Sequence, residues 1–259
     1  MKTLDDKPLI SILLPVHNGA TFLPECIESI LKQSYENFEI IAIDDFSHDN
    51  SYKLLKFFRR MDKRVKIYQN VKHYGMAMTL NRAIKRSRGQ FLVFMDQEDI
   101  CYKEKLKKQL LFLQNNPKVV AAGTQCTYIN AQGKRIGKSS FPDEAKEIYN
   151  KPLHGVSMQF QTLMINRFNL PKDLPYFPTN GHPYLYSNIF LTMLAFGELR
   201  NLPHPPLQYH RRTILKPNIT LDQMPQLVKL WIESTANKDY RPSFRYLSNA
   251  LLRTFTPAQ

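Results

Sequence analysis

The sequence FLVFMDQED occupies residues 91–99, where an unbroken apolar run ends in three carboxylates within four residues. The apolar part predicts a strand that is buried on both faces, as the strands of parallel sheets are. Open α/β sheets bind their ligands at the carboxyl ends of such strands, and acids there can hold a divalent cation that in turn binds phosphate. The alternative is that Asp99 caps the next helix while Asp96 and Glu98 are merely solvated. This stretch alone does not decide between the two.

The surrounding sequence alternates strand and helix patterns with short connections. Apolar runs predict strands at residues 9–16, 38–43, 65–68, 90–95 and 119–122, and helical spacing predicts helices at 21–33, 51–61, 76–87 and 102–114. Repeated strand-helix units favour parallel pairing with right-handed crossovers. We therefore expect an α/β fold with a mainly parallel central sheet flanked by helices.

Three of these predicted strands end in polar residues, which should meet along one edge of the sheet. They are followed by Pro15-Val16-His17-Asn18, by Asp44-Asp45 and by Asp96-Gln97-Glu98-Asp99. Neither Gly-x-Gly-x-x-Gly nor a Walker-type loop is present, which argues against dinucleotide-binding and P-loop folds.

Composition narrows the class of protein. The chain has 36 Lys and Arg against 22 Asp and Glu, a net charge of +14, which favours polyanionic surroundings. Basic residues concentrate at 53–66, at 103–108 and toward the C-terminus. A single Trp and the lack of a basic recognition helix argue against a nucleic-acid partner. The three cysteines without Cys-x-x-Cys spacing, and an N-terminus without a signal-peptide core, predict a cytoplasmic protein.

Four segments, in this order, resemble family 2 glycosyltransferases with the GT-A fold, over roughly residues 8–210. They are Ile10 to Asn18, the run Ile41 to Asp49 with its Asp-Asp-x-Ser-x-Asp pattern, His73-Tyr74-Gly75 through Ile84, and Phe94 to Asp99 at the family's Asp-x-Asp. The resemblance implies a nucleotide-sugar-binding half at 1–123 and an acceptor-side half of the same domain at 124–215. A basic helical extension is expected at 216–259.

The resemblance also implies roles for the donor site. Asp45 would accept from the imide N–H of the base, while Asp44 stays structural. Asp96 would lie near the ribose and the metal, and Glu98 would ligate Mn²⁺ or Mg²⁺ directly. Pro15, His17, Asn18 and His73 would line the donor loops, although both histidines could equally be ordinary loop residues.

Three positions depart from the family pattern. Glu98 replaces the usual Asp. The acid pair that supplies the general base is replaced by Leu185 and Tyr186, and no acid occurs between Asp173 and Glu198, which leaves His182 as the candidate base or as a structural loop residue. At Tyr209-His210-Arg211-Arg212 the family often has Tyr-Arg-x-His. An arginine cannot ligate a cation, so we expect Arg211 or Arg212 to pair with pyrophosphate.

Together these features predict an inverting glycosyltransferase that uses a UDP-linked sugar and a glycan or lipid-linked acceptor. The basic C-terminal extension would hold it at the anionic inner face of a membrane. The alternative is a catalytically weakened homologue that binds nucleotide or glycan without efficient transfer.

Overall fold

The computed structural model of the chain describes residues 7–143, 145, 148, 158–172, 177–179, 185–203, 205–211, 225, 228 and 232. His182, Arg212 and nearly all of the predicted C-terminal extension lie outside these residues. The described helices are α1 (Leu23–Leu31), α2 (Ser51–Met61), α3 (Met76–Arg86), α4 (Lys105–Asn115) and α5 (Leu185–Leu194). The described strands are β1 (Ile10–Val16), β2 (Phe38–Asp44), β3 (Val65–Gln69), β4 (Phe91–Phe94), β5 (Ile100–Cys101), β6 (Val119–Thr124), β7 (Cys126–Ile129), β8 (Arg135–Lys138), β9 (Met164–Asn166), β10 (Glu198–Leu202) and β11 (Gln208–Arg211).

The central sheet has seven strands in the order β10-β6-β9-β4-β1-β2-β3. The pairs β1–β2, β1–β4, β2–β3 and β10–β6 are parallel, whereas β9 pairs antiparallel with both β4 and β6. The predicted α/β fold with a mainly parallel central sheet is therefore confirmed. Because β1, β2 and β4 run in the same direction, their carboxyl ends lie side by side.

Helices cover both faces of this sheet, as the continuous apolar strands require. One core cluster contains Leu23, Ile27, Leu55 and Leu106 from α1, α2 and α4. The other contains Leu80 and Ile84 of α3 with Ile189 and Met193 of α5. Every residue of β1, β2 and β4 is buried. This two-sided core fixes the strand ends that carry the polar residues.

A second sheet of four strands, in the order β5-β11-β7-β8, stands beside the first. A hairpin that turns at residues 130–134 forms its β7 and β8 strands. The short strand β5 follows the acidic turn at residues 96–99 directly and pairs with β11, with Tyr209 opposite Ile100. The second sheet therefore brings residues 208–211 to the acidic turn.

The structure excludes one alternative and shifts one predicted helix boundary. Asp99 does not cap a helix, because α4 begins at Lys105 with Glu104 at its N-cap, and β5 intervenes. Helix α1 begins at Leu23 rather than at Thr21, and its N-cap Phe22 makes no side-chain cap bond. Across the described residues, no helix is long and apolar enough to span a bilayer.

Candidate active site

A cavity of about 680 Å³ opens at the carboxyl ends of β1, β2 and β4. Seven residues predicted from the sequence line it: Pro15, His17, Asp45, His73, Asp96, Glu98 and Arg211. It is also lined by residues that the sequence did not single out, among them Thr79, Gln97, Tyr128, Gln159, Gln161 and His210. The predicted convergence of three polar strand ends on one crevice is present in the structure.

The acidic turn places the side chains of Asp96 and Glu98 close to the buried carboxylate of Asp99. The backbone N–H of Glu98 donates to Asp96 Oδ1 at 3.3 Å. Burial, reinforced by the Asp99 carboxylate, raises the pKa of Asp96 to about 6. Burial and Asp99 also raise the pKa of Glu98. Two carboxylates whose ionisation is opposed by burial and by a neighbouring carboxylate form an environment suited to a cation.

Within the described residues, no group of three or more His, Cys, Asp or Glu side chains is arranged to hold a metal ion. Mg²⁺ is often bound by only one or two carboxylates together with the phosphates of the substrate. Asp96 and Glu98 supply such a pair on the cavity wall. The residues therefore fit a cation that binds together with a diphosphate, and the metal role of Asp96 and Glu98 stays a prediction.

Asp99 is the anchor of the turn and not a solvated acid. Its side chain is fully buried. It accepts hydrogen bonds from Gln208 Nε2 at 2.6 Å, from His210 Nδ1 at 2.9 Å and from the backbone N–H of Arg211 at 3.1 Å. These bonds fasten β11 to the acidic turn.

His210 is a functional candidate that sequence reasoning missed. Its Nδ1 faces Asp99, and its Nε2 lies 3.3 Å from Gln159 Nε2 on the cavity wall. The bond to Asp99 places a proton on Nδ1, which leaves Nε2 as the basic nitrogen of the neutral ring. The sequence feature that could have identified His210 is its position next to Arg211, in the segment already compared with the family's Tyr-Arg-x-His.

The guanidinium of Arg211 is hydrogen-bonded to other groups of the protein. Its guanidinium donates to the carbonyls of Glu98, Asn130 and Ala131, and Nη2 donates to Glu25 Oε2 at 2.9 Å. Only 4% of the side chain is exposed. These contacts hold the acidic turn against the β7–β8 hairpin, so Arg211 positions the turn in this structure. Pairing with pyrophosphate remains a prediction for Arg212.

Asp45 is buried with a full set of donors. Its Oδ1 accepts from Asn70 Nδ2 at 2.6 Å and from the Tyr74 N–H at 2.9 Å. Its Oδ2 accepts from the Gly75 N–H at 2.8 Å and lies 3.0 Å from His73 Nδ1. A carboxylate has about four acceptor positions. An incoming base N–H must therefore replace one of these partners, and His73, whose side chain is 56% exposed, is the partner nearest to solvent.

The loop after β1 is fastened to the same region. The backbone N–H of His17 donates to Gln97 Oε1 at 2.9 Å, and Gln97 Nε2 donates back to the His17 carbonyl at 3.0 Å. The His17 ring lies 4.2 Å from the His73 ring, centroid to centroid. Asn18 does not line the cavity. Its side chain accepts from the His48 N–H at 2.9 Å, and its own N–H donates to Ser47 Oγ at 3.0 Å.

Asp44 has the structural role that was expected. It is fully buried, and its Oδ2 accepts from the Ser47 N–H at 3.2 Å and from Gln69 Nε2 at 3.0 Å. Phe46, the next residue after Asp45, has φ of 60°. This left-handed conformation is strained for a bulky side chain.

The fold is of the α/β class, with an acid-lined cavity at the carboxyl ends of its central parallel strands. The chain belongs to glycosyl transferase family 2, whose family model matches residues 11–174. It is 33% identical over 176 residues to an uncharacterized glycosyltransferase of Haemophilus influenzae, covering 68% of each chain. It is 32% identical over 187 residues to the Escherichia coli UDP-Glc:alpha-D-GlcNAc-diphosphoundecaprenol beta-1,3-glucosyltransferase WfgD, covering 71% of this chain and 70% of WfgD. Some relatives are far longer: the match to a Rickettsia bellii glycosyltransferase covers only 22% of that protein.

Solved structures agree with the fold. The Staphylococcus aureus TarS fragment in complex with UDP-GlcNAc superposes with a TM-score of 0.69 at 20% identity, covering 95% of this chain and 72% of that one. The Pyrobaculum calidifontis mannosyltransferase PcManGT, in complex with GDP-Man and Mn²⁺, gives 0.65 at 16% identity, covering 95% and 69%. The predicted GT-A fold and family membership are confirmed.

Proposed function

We propose that the chain transfers a sugar from a UDP-linked donor to a glycan or lipid-linked acceptor, with inversion at the anomeric carbon. The observation that supports this most is that Asp45, Asp96 and Glu98 line one cavity at the ends of β2 and β4, the two strands on either side of β1. WfgD, named for a UDP-Glc donor and a diphosphoundecaprenol acceptor, supports this choice of substrates. TarS bound to UDP-GlcNAc supports the donor class.

In this proposal, different residues of the cavity bind the base and the diphosphate of the donor. Asp45 accepts from the imide N–H of the base, with the His17 and His73 rings beside it. Asp96 and Glu98 hold Mn²⁺ or Mg²⁺, which when bound neutralises charge on the departing nucleoside diphosphate. Gln97 fastens the acidic turn to the β1 loop, so that base and phosphate positions stay in register.

The acceptor hydroxyl must lose a proton during transfer, and a histidine is the proposed base. His182, predicted from the sequence, lies outside the described residues and stays a prediction. Among the residues that the structure describes, His210 has the better-defined setting, because Asp99 orients its ring and leaves Nε2 on the cavity side. A base oriented by a buried carboxylate is a recurrent catalytic arrangement.

Binding and transfer can be tested separately. Calorimetric titration with UDP, with and without Mn²⁺, should show metal-dependent binding that Glu98→Gln weakens tenfold or more, while Asp45→Ala should mainly lower the preference for UDP over CDP. A panel of UDP-sugars with lipid-diphosphate acceptors should then show transfer that His210→Gln or His182→Gln abolishes without loss of UDP binding. Tight UDP binding by the Asp45→Ala, Glu98→Gln double variant would refute the assigned donor site.

A catalytically weakened homologue is the second candidate. The observation that favours it is the absence of any acid from residue 174 to residue 197, where the family's general base is expected. UDP binding without transfer or donor hydrolysis, across the whole panel of sugars and acceptors, would select this alternative.

A further inference from the structure

Helix α2 has an outward face that combines large apolar side chains with cations. Phe57 is 54% exposed and Met61 is 69% exposed. Lys53 and Arg60 are exposed on the same side of the helix, because residues three and four apart share a face. The opposite face already meets the core through Ser51, Leu55 and Phe58. Phe57 meets the Phe58 ring edge-on at 5.5 Å, but the core contacts of α2 come from the face opposite to Phe57 and Met61.

The charges on this surface have few partners inside the protein. Within the part of the chain that the structure describes, Lys53, Arg59, Arg60 and Lys63 form no ion pair. The neighbouring acid Asp62 pairs with Arg64 at 2.7 Å. The surface therefore presents cations to whatever lies outside it.

A basic cleft adjoins the carboxyl end of α2. This cavity of about 360 Å³ lies at the sheet edge and is lined by Arg59, Lys63, Lys66 and Tyr68, together with Val65 and Ile67. Lys66 is bonded to the buried Glu39, which leaves Arg59 and Lys63 as the cations available to an anion. Arg59 lies on a different side of α2 from Phe57 and Met61, so the cleft adds positive charge near the helix without belonging to its outer face.

We propose that the outer face of α2 docks the protein on an anionic phospholipid membrane. Lys53 and Arg60 contact lipid phosphates, while Phe57 and Met61 enter the boundary between headgroups and acyl chains. Amphipathic helices bind bilayers by this combination of apolar burial and attraction to anionic lipid. Nucleic acid would satisfy the cations but would leave the two exposed apolar side chains without a role. The proposal goes beyond the proposed function and does not depend on it.

The position of α2 relates this surface to the donor cavity. Its first residue is fixed to the loop after β1, since the Gly19 N–H donates to Ser51 Oγ at 2.8 Å. An 11-residue helix is about 16 Å long. Docking through α2 would hold the donor loops within about one helix length of the lipid surface.

The test is partition of the full chain onto vesicles of phosphatidylcholine alone or with 30% phosphatidylglycerol. The wild type should prefer the anionic vesicles. Lys53→Gln, Arg60→Gln should lower the partition coefficient roughly 25-fold, which is about 1 kcal/mol per cation. Phe57→Ser, Met61→Ser should lower it by roughly tenfold or more. Both double variants should keep the wild-type melting temperature and wild-type UDP binding.

Helix α4 offers matched controls, because Lys107 and Lys108 flank Leu111, which is 50% exposed. Lys107→Gln, Lys108→Gln and, separately, Leu111→Ser should change partition less than about threefold, since they lie on a different helix. Equal losses in the α2 and α4 variants would overturn the proposal, because net charge alone would then explain binding. It would also be overturned by no preference for anionic vesicles, or by α2 variants that lose binding to an RNA oligonucleotide while keeping vesicle binding.

Discussion

The carboxylate of Asp99 and Nδ1 of His210 lie 2.9 Å apart, although 111 residues separate them in the chain. The pair joins the turn after β4 to strand β11, so one buried acid holds the phosphate side of the cavity and orients the imidazole beside it. No local sequence pattern predicts this contact between Asp99 and His210.

Replacing Asp99 should damage stability and activity together. Asp99→Asn turns a fully buried acceptor of three hydrogen bonds into an amide that cannot accept them all, which should lower the free energy of unfolding by about 2 kcal/mol. Urea unfolding measures this loss, and transfer assays should show a fall of at least tenfold. Asp62→Asn is the control, because the partly exposed Asp62–Arg64 pair should contribute less than about 1 kcal/mol. Equal effects of the two substitutions would contradict the anchoring role.

Asp96 should make the metal-free protein less stable as pH rises. Its folded-state pKa of about 6 lies above its ordinary value of 3.8, so the folded state holds this proton more tightly than the unfolded state does. The contribution of Asp96 to stability is therefore lost as pH rises from about 4 through 6. Asp96→Asn should be more stable than the wild type at pH 7.5 by about 1 to 3 kcal/mol. Urea unfolding at pH 4 and pH 7.5 measures the difference.

At pH 4 the advantage of Asp96→Asn should largely vanish, since both side chains are then neutral. The variant should also bind UDP with Mn²⁺ more weakly at pH 7.5. A destabilised Asp96→Asn at pH 7.5 would show that the carboxylate is stabilised by contacts other than those described.

Phe46 should be replaceable by glycine with a gain in stability. Its φ of 60° is costly for phenylalanine and free for glycine, so Phe46→Gly should raise the free energy of unfolding by about 1 kcal/mol. Phe57→Gly is the matched control, because it puts glycine into the interior of α2 and should destabilise by about 1 kcal/mol. Thermal and urea unfolding of both variants test the opposite signs. Destabilisation by Phe46→Gly would mean that the edge contact of its ring with His48 outweighs the strain.

Lys105 should be dispensable for folding despite its burial. Its side chain is fully buried and Nζ has no hydrogen-bond partner, and burial lowers its pKa. Lys105→Met keeps the shape of the stem and removes the buried amine, so it should raise the free energy of unfolding by about 1 kcal/mol. Lys107→Met, on the exposed face of α4, should have no measurable effect. A loss of stability in Lys105→Met would show that the ammonium group offsets the charge of Asp99.

The fold was largely predictable because periodicity is a local signal. The apolar runs ending at His17, Asp44 and Asp96 identified three parallel strands and the edge where they converge. Strand β9 was not predictable, since its place between β4 and β6 depends on pairing with residues about 40 to 75 positions earlier. The alternative in which Asp99 caps a helix is excluded by a contact of the same kind: Ile100 pairs with distant Tyr209, and the next helix begins at Lys105.

The same difference between local sequence signals and long-range contacts decides which site residues could be predicted. Asp45, Asp96 and Glu98 could be found because they follow the recognisable strands β2 and β4. His210 and Asn70 could not, because their importance lies in contacts with Asp99 and Asp45 across the fold. The roles of His182 and Arg212 remain predictions.

Four groups already surround the Asp45 carboxylate. A base that binds there must therefore replace one of these hydrogen bonds with its own N–H and does not add a new bond. When the imide N–H of a uracil replaces His73, the number of hydrogen bonds to the carboxylate stays constant, so this contact adds little to affinity. It discriminates instead: a cytosine would present a lone pair at the same ring position, and the carboxylate would lose a donor and gain a repulsion. The tightness of donor binding must then come from the diphosphate end, and the choice of nucleotide from Asp45.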